Sequence, residues 1–223
     1  MIPVYVISRD DAPERLVALW ADAERLGISI SRIRPEGPAE ENQDTSVPNG
    51  HRRAWERIAD GDAPYAVVLH DDVELGEELL PLLDRSFLAK SLPPRSVLVL
   101  DGPQFGVAEE LSDAAIVRPI SPPNSFHAYI ISRVAVRSLL ASPKRVELPA
   151  KTIARKKEHG IETFLVVPPP VATGTREKDV EAAVSRWGVE RLAGWGRNLA
   201  SRLAPRDSHV FEPIPVPSSD NNI

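Results

Sequence analysis

The chain has 223 residues, no cysteine and a formal net charge of -5 at pH 7. This length suits one domain with extensions, and the lack of cysteine excludes a disulfide framework and a thiolate metal site. The acidic balance disfavours nucleic-acid binding, which needs a basic excess to displace counterions from phosphates. No apolar stretch approaches the roughly 20 residues that cross a bilayer, and the N-terminus lacks a charged leader before an apolar core. We therefore expect a cytoplasmic protein.

Short apolar runs alternate with amphipathic segments along most of the chain. Such runs are typical of buried strands, and a spacing of three to four residues between apolar positions predicts helices. The predicted strands are residues 2–7, 28–33, 65–70, 96–100, 116–120, 128–132 and 162–167. The alternation predicts an α/β fold with a mostly parallel sheet and helices on both faces.

The helical segments have recognisable starts and core-facing stripes. The first is predicted to begin after an Asp11 N-cap and to end at Gly27. Its core-facing side chains are predicted to be Leu16, Leu19, Trp20, Ala23 and Leu26. The second is predicted to start from an Asn49 cap after a loop at residues 34–48, and a third covers residues 77–88.

The C-terminal part of the chain differs in composition. We expect a domain at residues 1–175, a helical extension at 176–206 and a disordered, proline-rich tail at 207–223. Apolar residues recur at helical spacing in the extension, with arginines between them. Two interpretations stay open: a helix packed on the domain or on a second subunit, and a basic amphipathic segment at the inner face of a membrane.

The strand at residues 65–70 ends abruptly in the polar residues His70, Asp71 and Asp72. Adjacent carboxylates repel each other and lose hydration beside apolar walls, so such a pair favours a place where a cation, a substrate or water compensates it. In open α/β sheets ligands bind at the carboxyl ends of strands. His70 and Asp72 share one side of an extended backbone. The pattern predicts half of a divalent metal site, and the alternative is a solvated turn.

Four segments, in this order, resemble glycosyltransferase family 25, the lipopolysaccharide and collagen sugar transferases. They are Val4–Ile7 followed by Arg15, Gly50-His51-Arg-Arg-Ala-Trp55, His70-Asp71-Asp72, and Ser125-Phe-His-Ala-Tyr129-Ile-Ile-Ser132. The resemblance covers residues 2–172. It implies a GT-A-like nucleotide-diphospho-sugar transferase fold and transfer of a sugar from a UDP-sugar to a glycan or lipid-linked saccharide acceptor. Such a reaction would use Mn²⁺ or Mg²⁺ to neutralise the pyrophosphate.

The resemblance also implies roles for individual residues. Asp72 and His70 would hold the metal, and an imidazole at position 70, where the family has Glu, favours Mn²⁺ over Mg²⁺. The residues implied at the donor site are His51, Asp71, Arg15 and Tyr129. From the residues alone, a packed histidine and a solvated arginine remain alternatives for His51 and Arg15, and Trp55 is expected in the core.

A transferase that inverts configuration needs a base for the acceptor hydroxyl. The candidates are Asp101, Glu74 and His127. Asp101 ends a strand that we expect beside the metal-binding strand. The unperturbed pKa of a histidine such as His127 lies close to working pH.

Two departures from the family pattern keep other functions open. Gly50 replaces a serine, and Lys151 stands where the family has an aspartate after Pro149, so the acceptor region would carry a cation in place of a carboxylate. One alternative is a catalytically inactive binding module. Another is a metal-dependent hydrolase that uses the imidazoles and carboxylate to activate water, with the ligands His51, His70, Asp72 and His127.

Overall fold

The computed structural model describes residues 1–9, 13–35, 43–101, 115–119, 123, 126–141, 153, 159–173 and 214–215. The strands are β1 (Val4–Ile7), β2 (Ile30–Ile33), β3 (Tyr65–His70), β4 (Val73–Leu75), β5 (Ser96–Val99), β6 (Ala115–Val117), β7 (Ala128–Ser132), β8 (Glu162–Val167), β9 (Val171–Thr173) and β10 (Ile214–Pro215). The α-helices are α1 (Pro13–Arg25), α2 (Gln43–Asp60), α3 (Arg85–Ser91) and α4 (Arg133–Leu140), and a 3₁₀ helix covers Glu77–Leu83.

One large sheet has the strand order β10-β6-β8-β5-β7-β3-β1-β2, and β4 pairs with β9 in a small second sheet. Strands β2 and β3 flank β1 in parallel, and β8 is parallel to β5. Strand β7 is antiparallel to both its neighbours, β3 and β5, and β6 is antiparallel to β8 and β10. Strands β6 and β7 therefore run against the rest of the sheet, and the predicted mostly parallel sheet is confirmed.

Helices cover both faces of the large sheet, as predicted. Successive strand residues point to opposite faces, and each face buries its own apolar cluster. On one face Val67 and Leu69 of β3 pack with α1, α3 and the 3₁₀ helix. On the other, Ala66 and Val68 pack with α2 and α4. His70 is two residues after Val68, so the alternation of the strand places its side chain on the same face of the sheet, the face covered by α2.

The helices differ from the sequence prediction in three places. Trp20 is 47 % exposed, so the buried stripe of α1 is narrower than predicted. Helix α2 begins at Gln43 and contains Pro48, so it starts before the predicted Asn49 cap. The segment predicted as one helix at residues 77–88 divides at Asp84, whose carboxylate caps α3 by accepting a hydrogen bond from the Phe87 N–H at 2.7 Å.

The predicted C-terminal extension lies outside the described residues. The predicted tail contains β10, which pairs with β6, and its remaining residues also lie outside them. None of the helices in the described ranges combines the length and apolarity needed to cross a membrane.

Candidate metal centre

The reversal of β7 brings His127 to the end of β3. Strand β3 is buried through Leu69, and exposure begins at His70. Because β7 is antiparallel to β3, its first residue, Ala128, lies opposite Leu69. The His70 N–H donates to the His127 carbonyl at 2.7 Å. Two histidines that are distant in sequence thus become neighbours at the carboxyl end of β3.

His70, Asp72 and His127 form a cluster with metal-ligating chemistry. One ligand atom from each lies within 4.8 Å of the other two, and all three residues are partly exposed. The His127 Nδ1 is 3.0 Å from Asp72 Oδ2 and 3.1 Å from Oδ1. The His70 and His127 rings have centroids 4.9 Å apart. Of these three, the glycosyltransferase interpretation of the sequence predicted His70 and Asp72 as ligands and placed His127 among the bases, whereas the hydrolase alternative included His127 among the ligands.

Asp101 contacts the backbone of His127. It is 1 % exposed, and its Oδ2 accepts a hydrogen bond from the backbone N–H of His127 at 3.0 Å. The prediction that the strand before Asp101 lies beside β3 is wrong, because β7 is inserted between β5 and β3. Asp101 reaches the site through that inserted strand instead.

The three side chains influence one another's ionisation. Burial, reinforced by the charge of His127 and opposed by Asp72, lowers the pKa of His70 to about 4. Burial raises the pKa of Asp72, but hydrogen bonding and charge from His127 outweigh it and leave the pKa below its usual range. The hydrogen bond to Asp72 raises the pKa of His127 despite burial. Near neutral pH, His70 is therefore a neutral imidazole and Asp72 a carboxylate.

This donor set fits a divalent cation. Two imidazoles and a carboxylate are ligands that zinc and manganese accept, and His70 is already in the neutral form that binds metal. Partial exposure leaves room for further ligands from solvent or substrate. At His127 a cation would take the place of a proton.

A buried layer lies behind His70. The His70 Nε2 is 2.7 Å from the His51 Nε2, and the His51 Nδ1 is 2.9 Å from the Tyr129 Oη. The Trp55 Nε1–H donates to the same Oη at 3.0 Å. His51 is 1 % exposed and Tyr129 0 %, so the donor-site roles that the resemblance implies for them could act only through other residues.

Gly50 allows α2 to approach β1 closely enough to bring His51 over the sheet. A Cβ at this position would lie 2.6 Å from the Ile7 Cγ2 and 3.4 Å from the Pro35 Cγ. The serine expected from the family pattern would therefore require Ile7 to move. The glycine has a packing role here.

Asp71 contacts Ser8, the residue that follows β1. Burial and the charge of Asp72 raise its pKa, and a hydrogen bond from Ser8 and the positive charge of Arg15 partly offset this. The structure therefore brings Asp71 and Arg15, both predicted at the donor site, into one electrostatic group. It lies beside the metal cluster because Asp71 and Asp72 are consecutive.

Glu74 and Lys151 are the remaining positions that the sequence singled out. Glu74 lies in the middle of β4, opposite Ala172 of β9, and it takes no part in the hydrogen bonds given above. Lys151 lies outside the described residues. Trp55 lies in the core as predicted, at 0 % exposure, but its hydrogen bond to Tyr129 was missed. Its position four residues after His51, on the same helical face, was the available signal.

No known protein-family model matches the chain, and no curated protein matches it. Solved structures that are similar to it in fold include three enzymes. The first is a glycosyltransferase involved in the glycosylation of the major capsid of PBCV-1, with 12 % identity, TM-score 0.45, and coverage of 73 % of this chain and 80 % of that one. The second is a putative glucose-1-phosphate thymidylyltransferase from Bacillus anthracis in complex with sucrose, with 10 % identity, TM-score 0.43, and coverage of 90 % and 78 %.

The third is a Drosophila β-1,4-galactosyltransferase 7 mutant in complex with manganese, UDP-Gal and xylobiose. It has 10 % identity and TM-score 0.33, with coverage of 74 % of this chain and 65 % of that one. At these identities and TM-scores the likenesses assign no activity to the chain. The functional argument therefore rests on the site itself.

Proposed function

We propose that the chain is a metal-dependent glycosyltransferase that moves a sugar from a UDP-sugar to a glycan or lipid-linked saccharide acceptor. The observation that carries this proposal is the His70, Asp72 and His127 cluster at the carboxyl end of a central strand, where open α/β sheets bind their ligands. The resemblance of the sequence motifs to glycosyltransferase family 25 supports the same activity.

The cluster and the group around Asp71 suit the two parts of a nucleotide-sugar donor. A cation held by His70, Asp72 and His127 would supply positive charge to the pyrophosphate as it leaves. Arg15 is exposed at the start of α1 and lies close enough to lower the pKa of Asp71. We assign Arg15 to a donor phosphate and Asp71 to a ribose or sugar hydroxyl.

The catalytic base is assigned separately from the cation ligands. With His127 committed to the cation, Asp101 and Glu74 remain the candidates for removing the acceptor proton. Asp101 is buried against the His127 backbone. Substitution of the true base should lower turnover and leave donor binding unchanged, whereas substitution of a residue that supports His127 should weaken donor binding as well.

One observation favours a second activity. The donor set is richer in imidazole than a carboxylate pair, and two histidines with one aspartate also suit a zinc ion that activates water. A metal-dependent hydrolase is therefore the alternative. It would bind a cation at the same three residues and show no selectivity for nucleotides.

Calorimetry with UDP separates the two activities. The glycosyltransferase should bind UDP in the presence of Mn²⁺ and much more weakly in EDTA, and Asp72→Asn should remove the Mn²⁺-dependent part. A matched control is Asp62→Asn, which changes a carboxylate in the loop before β3 at the opposite end of that strand. Cation binding without any effect on UDP affinity would reject the glycosyltransferase.

A further inference from the structure

A chain of hydrogen bonds connects the interior of the protein to His70. It runs from the Trp55 Nε1 to the Tyr129 Oη (3.0 Å), to the His51 Nδ1 (2.9 Å), and from the His51 Nε2 to the His70 Nε2 (2.7 Å). Trp55, Tyr129 and His51 are at most 1 % exposed, so solvent cannot replace these partners. The proposed transfer reaction uses none of the three directly.

The available donors and acceptors restrict where the protons lie. The Trp55 indole can only donate, and it donates to the Tyr129 oxygen. In one arrangement the buried Tyr129 O–H donates to the His51 Nδ1, its acceptor among the residues that the structure describes around it. A neutral imidazole has one N–H, so His51 donates from Nε2 to the His70 Nε2. His70 is then protonated at Nδ1, and neither of its nitrogens is bare.

A cation requires the opposite arrangement. A metal binds a deprotonated imidazole nitrogen, and the His70 Nε2 is already engaged with His51. The atom left for a cation is the His70 Nδ1, which places the His70 proton on Nε2. The His51 Nε2 must then accept the hydrogen bond from His70. The His51 proton lies on Nδ1 and is donated to the Tyr129 Oη, and the Tyr129 hydroxyl proton turns away from His51. Both arrangements hold the same number of protons.

The surroundings of His51 suit this role. Burial, and then the charges of His70 and His127, hold the pKa of His51 well below its usual range. His51 therefore stays neutral and keeps one accepting nitrogen in either arrangement. A metal-ligating histidine that donates its other ring N–H to a fixed acceptor binds the metal more tightly, because the ring is held in one tautomer and one orientation.

We propose that His51 is a positioning residue for His70, which accepts the His70 Nε2–H, leaves Nδ1 bare for a cation shared with Asp72 and His127, and changes tautomer together with His70 when the cation binds. This inference rests on the proposed function for the divalent cation and is independent of the nucleotide sugar. His51 itself makes no contact with the cation.

Nitrogen-15 NMR of the histidine rings in the wild-type full chain, with and without Zn²⁺ as the only added ligand, tests the tautomers directly. We expect His70 to change from Nδ1–H to Nε2–H on Zn²⁺ addition and His51 to change from Nε2–H to Nδ1–H. Unchanged tautomers in the presence of bound Zn²⁺ would overturn the proposal, as would the absence of Zn²⁺ binding.

Zn²⁺ calorimetry on variants tests the energetic role. His51→Leu should weaken Zn²⁺ binding on the order of 10- to 100-fold, and His51→Gln should restore most of the affinity because its amide oxygen can accept the His70 N–H. The matched control is His159→Leu, which removes a buried histidine near the amino end of β8, away from the cluster, and should leave the affinity unchanged. Equal affinity of folded His51→Leu and wild type contradicts the proposal.

The two proposals can fail separately. The NMR experiment needs no variant, so it decides the role of His51 even where His51→Leu does not fold. Tautomer exchange on Zn²⁺ addition together with no Mn²⁺-dependent UDP binding would reject the glycosyltransferase and keep the role of His51. Mn²⁺-dependent UDP binding with unchanged tautomers would do the reverse.

Discussion

The Asp72 Oδ2 lies 3.0 Å from the Nδ1 of His127, a residue 55 positions further along the chain. The side chains of the pair are 29 % and 40 % exposed, His127 being the more exposed. The contact is therefore partly screened by solvent, and its direct contribution to stability is that of a surface pair, about 1 kcal/mol or less. Its larger effect is on the protonation of His127, which decides when a cation can bind.

The first prediction concerns that protonation. Asp72→Asn removes the hydrogen-bonding carboxylate that raises the pKa of His127, so the pKa of His127 should fall below its wild-type value. A histidine NMR titration measures this. Asp71→Asn is the control, since Asp71 does not appear among the causes of the His127 shift; an equal fall in that variant would mean that the contact between Asp72 and His127 is not responsible.

The second prediction concerns the pH dependence of cation binding. His70 has a pKa of about 4 and stays neutral under mild acid, whereas the raised pKa of His127 keeps it protonated up to a pH above its ordinary value. Affinity for Mn²⁺ should therefore fall as the pH decreases through the pKa of His127. His127→Gln should flatten the profile above pH 5 or so. If His70→Gln flattens the profile and His127→Gln does not, His127 is not a ligand.

The third prediction concerns folding stability in acid. His70 binds its proton more weakly in the folded state than in the unfolded one, with a pKa of about 4 against 6.5. Its contribution is fully present above pH 6.5 and is lost as the pH falls toward 4, by at most about 3 kcal/mol. Urea unfolding in this pH range should show a smaller loss for His70→Gln than for the wild type. An equal dependence of the free energy of unfolding on pH in both proteins would contradict the buried, neutral state of His70.

The fourth prediction concerns the contact between α2 and β1. Gly50→Ala places a methyl group 2.6 Å from the Ile7 Cγ2, and such overpacking costs about 1–3 kcal/mol. The control is Gly61→Ala, where the nearest atom to the new Cβ is the Arg57 carbonyl oxygen at 3.4 Å, and the cost should be about 0.5 kcal/mol. Urea unfolding measures both free-energy changes. Gly50→Ala should cost less in an Ile7→Ala background than in the wild type, because the clashing Cγ2 is then absent.

The positions of the central strands were largely predictable because those strands are rich in consecutive apolar residues, whereas the short strands β4, β9 and β10 were not predicted. Residues 65–70 and 162–167 were predicted with the bounds that the structure shows for β3 and β8. The direction and order of the strands were not, since apolar content is the same for a parallel and an antiparallel buried strand. The insertion of β7 between β3 and β5 is a tertiary property, and it moved Asp101 away from the position beside β3 that we expected.

The candidate site was predictable to the extent that polar residues follow a buried strand. His70 and Asp72 have this signature. The local sequence does not place His127 beside them, because their contact depends on the reversed strand. Trp20 shows the corresponding difficulty for helices. Its spacing fits the apolar stripe of α1, but the residues of that stripe that are buried are Leu16, Leu19 and Ala23, and Trp20 is 47 % exposed.

The reversed strand has one more consequence, for the link between ligand binding and folding. His70 and Asp72 adjoin β3 and His127 adjoins β7, so the three donors converge only when those strands are paired. An unfolded chain offers them as separate, weak ligands, and a cation that needs all three binds the native state alone. Its binding free energy is then added to the free energy of unfolding, and the midpoint of thermal unfolding rises with cation concentration.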